Sequence, residues 1–167
     1  MKLMISMISS EDAILMRALE ELKSIYGEVD LLSDLLPFDF TDYYSEEMGT
    51  PLFRRFIAFK ELVPREALPD IKKKTNSIEE GYSHGGCRKV NIDPGILSEE
   101  NLVLATTKSC AHRPYLRDGI YADLTLIFRN RSFQAQEWTY PDYRRGETID
   151  MMNRLRRRYL DQVKGLL

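Results

Sequence analysis

Apolar and polar residues alternate with two periods along the chain, near 2 and near 3.6, and the points where the period changes divide it into elements. Lys2 to Ile8 is a short apolar run interrupted by Ser6, the pattern of a first strand. Ser10 then stands as an N-cap, with Glu11 and Asp12 in the first turn, where negative charge complements the helix dipole. Leu15, Ala18, Leu19, Leu22, Ile25 and Tyr26 recur at three- and four-residue steps up to Gly27, which predicts an amphipathic helix lying on a sheet. Val29 to Leu32 supplies a second strand. Pro37 breaks the pattern and opens an aromatic and acidic stretch, Phe38 to Gly49, in which Thr41 is placed to cap a short helix.

Leu52 to Lys60 reads as a third strand, with Phe53, Ile57 and Phe59 on one face and Leu52, Arg54, Phe56 and Ala58 on the other, so Arg54 and Arg55 point to opposite sides. Pro64 suits a first helical turn. Leu68, Ile71, Thr75, Ile78 and Tyr82 mark the buried stripe of a second helix, with Lys72 to Lys74 outward and Gly81, Gly85 and Gly86 at its end. Val90 and Ile92 alternate with Lys89, Asn91 and Asp93 in a fourth strand, closed by Pro94-Gly95, the pair a type II turn prefers. The order β-α-β-β-α-β is that of the ferredoxin-like split unit, two helices on one face of an antiparallel sheet. Leu102 to Lys108 and Ile120 to Phe128 add strands, and Asn130 to Ser132 turns into a last extended piece, Phe133 to Tyr140. Ile149, Met152, Leu155, Tyr159 and Val163 mark a C-terminal helix whose Arg154 and Arg156 to Arg158 face solvent. The expected fold is α+β: a ferredoxin-like βαββαβ core extended by further antiparallel strands and a C-terminal helix.

Composition narrows the classes. The 167 residues suit one domain spanning 1–167, and 43% hydrophobic with 30% charged residues is an ordinary globular balance. The 24 basic and 26 acidic residues leave a formal charge of -2, so no global positive field recruits nucleic acid or an anionic membrane. Neither a signal-peptide core nor an apolar run of bilayer-spanning length is present, so a cytoplasmic protein is expected, with Cys87 and Cys110 reduced and no structural disulfide.

The polar residues that resist a structural account gather around the last strands. Ile120, Ala122, Leu124, Leu126 and Phe128 take the core side of their strand, which turns Tyr121, Asp123 and Thr125 to the opposite face. Lys108, followed by His112 and Arg113, offers three cationic donors for a phosphate or carboxylate, and Asp123, Asp93 and His112 are the catalytic candidates, either aspartate as acid, base or ion-pair partner and His112 as a group that matters near neutral pH. Asn91, Tyr121, Trp138, Tyr140 and Arg144 complete the candidate ligand-binding set. The competing account is that Asp123 pairs with Arg113 or Lys108 only to satisfy a partly covered sheet, and that the aromatic residues cap the core. His84, Cys87, Cys110 and His112 are residue types that bind zinc, and a hairpin about Pro94-Gly95 would bring them together, although the His-x2-Cys and Cys-x-His spacings are not those of common zinc fingers. Arg154 to Arg158 is a solvated helix face rather than an RNA site. No Gly-rich phosphate loop, nucleophile elbow or His-Glu-x-x-His motif is present, and no cofactor is indicated.

Several stretches carry a resemblance: Phe38-Asp-Phe-Thr-Asp-Tyr-Tyr44 through Glu47-Met-Gly49, Lys74-Thr-Asn76, Val90-Asn-Ile-Asp-Pro-Gly95 and Leu104-Ala-Thr-Thr-Lys108. His112-Arg113, Tyr115-Leu116, Gly119-Ile-Tyr121 and Trp138-Thr-Tyr-Pro-Asp-Tyr-Arg144 extend it. With these the chain resembles, nearly end to end, the bacterial family called domain of unknown function 4416. The resemblance implies no activity. It implies positions matching Lys108, His112 and Arg113 but none requiring His84, Cys87 or Cys110, which favours a cationic site over zinc. Three functions follow as expectations: binding of, and action on, a small phosphorylated or other anionic ligand; a non-catalytic module whose sheet face or Phe38 to Gly49 segment docks a protein; and RNA binding through the sheet face, which the acidic balance disfavours.

Overall fold

A computed structural model describes residues 1–165, and its central element is β1 (Lys2–Ser9), in which every residue is buried. Successive side chains of a strand point to opposite faces, so a strand buried throughout needs cover on both. Leu3, Ile5 and Met7 face one layer, formed by α1 (Asp12–Tyr26) and α3 (Leu68–Gly81), together with Ile57 and Phe59 of β4 (Phe53–Leu62) and Ile92 of β5 (Asn91–Leu97). Met4 faces the other, where α4 (Gly146–Val163) packs Met151, Met152, Leu155 and Tyr159 against Phe56, Ala58, Leu97, Leu102 and Leu126.

The remaining strands are β2 (Val29–Leu32), β3 (Leu36–Pro37), β6 (Asn101–Thr106), β7 (Tyr115–Arg117), β8 (Ile120–Arg129) and β9 (Ser132–Ala135), and α2 (Ser45–Met48) is a single turn. The sheet runs β2-β4-β1-β5-β6-β8-β7, with β3 also beside β4 and β9 also beside β8. Every pairing is antiparallel, so the fold is α+β. No described helix is long and apolar enough to cross a membrane.

The structure corrects the sequence reading at several points. Ser10 does not cap α1; its hydroxyl donates to the Met48 carbonyl at 2.6 Å, tying the end of α2 to the start of α1. Thr41 caps no helix, its hydroxyl accepting instead from the Tyr43 amide within a turn. Lys72 is buried rather than outward, because its apolar stem runs along the sheet and its ammonium reaches the Ile92 carbonyl and Asp93, each at 3.0 Å. Val163 is exposed. The extended piece after the last hairpin is shorter than expected, ending at Ala135, since Thr139 folds back to accept from the Gln136 amide.

Pro94-Gly95 is not a turn. Both residues lie inside β5 opposite Ile5 and Met4 of β1, and the β5–β6 connection is made by Ser98 to Glu100, where the Ser98 amide donates to the Asn101 carbonyl. Gly95 is required by its neighbour: a Cβ there would stand 2.6 Å from Leu104 Cδ2 and 3.0 Å from the Val103 carbonyl oxygen. The alternation along β8 is also broken. Leu102 pairs with Leu126 and Val103 with Leu124, so Thr125 is the extra residue of a bulge. Ile120 thus packs with Leu68 of α3, whereas Leu126 and Phe128 turn to the α4 side with Phe133.

Gly95→Ala should destabilise the fold by about 1–3 kcal/mol, since Leu104 must leave its rotamer to admit the methyl group. Urea unfolding measures this, and an unchanged midpoint would show that the β5–β6 approach is looser than described.

Candidate functional site

α4 covers only one end of the strands on its face. Toward the other end, antiparallel registers set three successive rows of side chains on this face: Ile8 lies opposite Arg54 and Asn91, Ser6 opposite Phe56 and Asp93, and Leu104 opposite Asp123. Above these rows the segment Phe38 to Gly49 folds as a flap, seated on Ile8 and Leu52 by Phe38 and Met48. Between flap and sheet is a cavity of about 390 Å³, within the range of small-molecule sites. Its floor comprises Arg54, Asp93, Leu104, Asp123, Asp142 and Tyr143; Phe40, Tyr43, Tyr44 and Tyr140 form walls, and Lys108 stands at the exposed rim.

Charge burial governs the floor. Arg54 is 7% exposed, forms a close ion pair with Asp142, and lies 4.8 Å from the Phe38 ring centroid, 5.3 Å from that of Phe56 and 5.4 Å from that of Tyr143. Its Nε has no hydrogen-bond acceptor. The Tyr143 hydroxyl lies beside that of Ser6, yet neither completes a hydrogen bond. Burial raises the Tyr143 pKa, which keeps this phenol neutral. Tyr44 is raised for the same reason, with the Asp93 charge adding to it.

Asp93 accepts from Lys72 at 3.0 Å and from Asn91 Nδ2 at 2.6 Å. Burial pushes its pKa up, but Lys72, Asn91 and Arg54 outweigh burial and hold the carboxyl below the usual range. Asp123, 3% exposed, accepts from Arg113 Nε at 2.7 Å and from the Thr125 hydroxyl at 3.3 Å. Each carboxylate lining the cavity therefore has a cation: Lys72 for Asp93, Arg113 for Asp123, Arg54 for Asp142. Lys108, among the described residues, pairs with no carboxylate. It donates to the Tyr43 hydroxyl at 2.9 Å and lies 4.1 Å from that ring centroid, and this hydrogen bond lowers the Tyr43 pKa.

The flap is anchored from below. Glu47 receives Arg88 Nε and Nη2, each at 2.8 Å, and the Arg88 amide at 3.0 Å, which together hold the Glu47 carboxyl below its ordinary range. Arg88 also reaches Glu79 and Asn91, joining the flap to α3 and β5. Glu79 is displaced the other way, burial raising its pKa against the pull of Lys72 and Arg88.

Of the residues singled out by sequence, the structure brings Asp93, Lys108, Asp123 and Tyr140 to the cavity. Arg113 stands behind it, donating to the Tyr140 hydroxyl at 3.0 Å and to the Lys108 carbonyl at 3.2 Å, so it positions two lining residues. His112 stacks on Trp138 with centroids 4.9 Å apart, its Nε2 3.7 Å from Asp123 Oδ2. Trp138 donates to the Leu124 carbonyl, and Arg144 to the Thr139 and Glu137 carbonyls; both fasten the chain after β9. Asn91 supports Asp93, and Tyr121 packs edge-on against Tyr115 away from the cavity.

The zinc set is not assembled. His84 faces Cys87 across a tight bridge, both cysteines are exposed, and among the described residues no three His, Cys, Asp or Glu side chains form a metal-ligand group. The hairpin about Pro94-Gly95 that would have joined them does not exist.

Sequence reasoning missed Arg54 and the flap's aromatic residues as parts of one site, and it reached Asp142 and Tyr143 only as members of the run Trp138 to Arg144. A signal for Arg54 was present, an arginine among Leu52, Phe56 and Ala58 on the apolar face of a central strand.

A family model described as Domain of unknown function (DUF4416) matches residues 1–159. No curated protein and no solved structure matches the chain.

The lowered pKa of Asp93 and of Glu47 gives a sign to the acid response. A carboxyl depressed in the folded state stabilises it above the unfolded pKa of about 4, and that contribution is lost as pH falls through the folded value. Unfolding free energy should thus decline below about pH 4. Asp93→Asn should decline less steeply over the same interval in parallel denaturant titrations; equal slopes would remove Asp93 from the response.

Proposed function

The chain belongs to the family described as domain of unknown function DUF4416, and from that premise we propose that the cavity beneath the flap binds a small anionic ligand. The observation that carries this reading is the charge arrangement. Three lining carboxylates are each matched by a cation, and Lys108 is additional. Counted together with Lys72 and Arg113, which stand behind the lining, these groups leave one unmatched positive charge, and it sits at the exposed rim on Lys108. Lys108 meets the anion at the rim. Asp93, held ionised, accepts from a ligand donor; Asp123 gives its oxygens to Arg113 and Thr125 and keeps that wall in place.

The expectation of a ferredoxin-like core draws support from the order β2-β4-β1-β5 with α1 and α3 on one face. RNA stacking on an open sheet face finds no support in the central strands, where helices lie on one face and α4 and the flap on the other.

Lys108 is exposed, so Lys108→Ala should leave the melting temperature of the free protein unchanged within about 1 °C, as for surface substitutions away from structural features. A thermal-shift panel of phosphorylated and carboxylated compounds should contain members that stabilise the full chain, and Lys108→Ala should weaken their binding by about tenfold or more, the loss of one charge-assisted hydrogen bond. Stabilisation that is equal in both proteins would reject the cavity as an anion site.

A further inference from the structure

The ladder between β5 and β6 stops short. Its last pair is Gly95 with Leu104, although β5 begins at Asn91 and β6 runs on to Thr106. Pro94 explains the break. Backbone N–H and C=O groups two residues apart on a strand point to the same side. Those of Ile92 point away from β1, since Glu79 accepts from its amide at 2.6 Å and the Lys72 ammonium donates to its carbonyl at 3.0 Å. The Pro94 nitrogen therefore faces β6 as well, with no hydrogen to give, so the ladder ends there and the strands fork. Side chains of α3 take the hydrogen bonds that β6 would have made.

The fork separates two side chains that the register would otherwise set against each other. Two residues beyond Gly95 and Leu104, Asp93 comes opposite Thr106 on the face beneath the flap, and both line the cavity. The side chains of Asp123 and Asp142 are only 4% and 8% accessible, whereas that of Asp93 is 31% accessible and lies under the flap, so its free surface opens into the cavity. Each Asp93 oxygen accepts one bond, from Lys72 or from Asn91, and keeps a lone pair. The Thr106 hydroxyl accepts from the Lys108 amide at 3.1 Å, which leaves its proton to donate. An acceptor thus faces a donor across a gap in the sheet, and the group that bridges such a gap is one that both gives and accepts, a hydroxyl. A ligand cation is not called for, because Asp93 already has Lys72. Lys108 follows Thr106 by two residues, about 7 Å of extended chain, so an anion at Lys108 and a hydroxyl in the fork stand at opposite ends of one ring. Phe40, Tyr44 and Tyr140 wall the space between and offer apolar surface to the C–H face of a saturated ring. We infer that the cavity takes a sugar phosphate, its phosphate at Lys108 and a ring hydroxyl bridging Asp93 and Thr106 in the β5–β6 fork; this rests on the anionic-ligand reading and names the class of ligand.

Isothermal titration calorimetry of the full chain with four probes tests this. Glucose 6-phosphate carries ring hydroxyls and anion, cyclohexyl phosphate the ring and anion alone, glucose the hydroxyls alone, and inorganic phosphate the anion alone. Glucose 6-phosphate should bind tightest, with cyclohexyl phosphate and glucose each about tenfold weaker and inorganic phosphate weakest. Thr106→Val keeps the branched shape a strand favours and removes only the hydroxyl. It should weaken glucose 6-phosphate about three- to tenfold and leave cyclohexyl phosphate unchanged, and Thr106→Ser should restore the difference. Equal weakening of both phosphates in Thr106→Val would overturn the inference, since Thr106 would then act only by holding the Lys108 amide. Cyclohexyl phosphate binding as tightly as glucose 6-phosphate, with both lost in Lys108→Ala, would also overturn it and leave the anion reading standing. Glucose binding as tightly as its phosphate, regardless of Lys108, would overturn the sugar phosphate together with the anion reading. Failure of all four to bind overturns the inference, and the anion panel then decides the broader reading by itself.

Discussion

A guanidinium on the inner face of a central strand has to find a countercharge, because an unpaired buried ion costs several kcal/mol. Arg54 finds it in Asp142, at the far end of the chain, in the 3-10 turn that leads into α4. That single pair determines where the last helix begins. α4 covers the Met4 end of the sheet, the turn before it is pinned over β4, and the strip between turn and flap is left uncovered by any helix. The cavity is the remainder of a packing problem whose boundary is set by one ion pair.

The same rule shapes the support of the flap. Its aromatic side chains give it a face to bury, but the segment contributes only one helical turn of its own, after the short β3 pairing that precedes it. Order comes from Arg88, which joins Glu47 of the flap to Glu79 of α3 and Asn91 of β5. Asn91 passes to Asp93, and Asp93 to Lys72. The network therefore runs without interruption from the roof of the cavity to its floor, and a fully partnered polar chain of this kind is rigid.

Much of the architecture was legible because it rests on periodicity. The stripe Leu15, Ala18, Leu19, Leu22 does face the sheet, and Arg54 and Arg55 do separate, Arg55 going to Asp12 on the α1 side. What was not legible depends on contacts between distant segments. Pro94-Gly95 has turn chemistry, yet it is strand because the ladder to β1 continues through it and Leu104 needs the space a side chain would take. Lys72 follows an outward helical position by charge, but Asp93 draws it inward. Lys108, Asp123 and Tyr140 were identifiable as polar residues without a core role, whereas Arg54 was read as a strand residue and Asp142 as part of an aromatic run. Their meaning comes only from being brought together across nearly ninety positions of sequence, since 142 and 54 differ by 88.

The bulge at Thr125 sets a different kind of constraint. It absorbs one residue, so the stretch before it presents Asp123 to the cavity while the stretch after it presents Leu126 and Phe128 to the α4 layer, on the same side of the sheet. A strand with that phase change is sensitive to where its length changes. Excising a residue of the regular ladder turns over everything beyond it, whereas excising Thr125 closes the bulge and leaves Asp123 and Leu126 on their shared side, so the two-against-one step opposite Leu102 is where β8 can lose a residue without exchanging its faces.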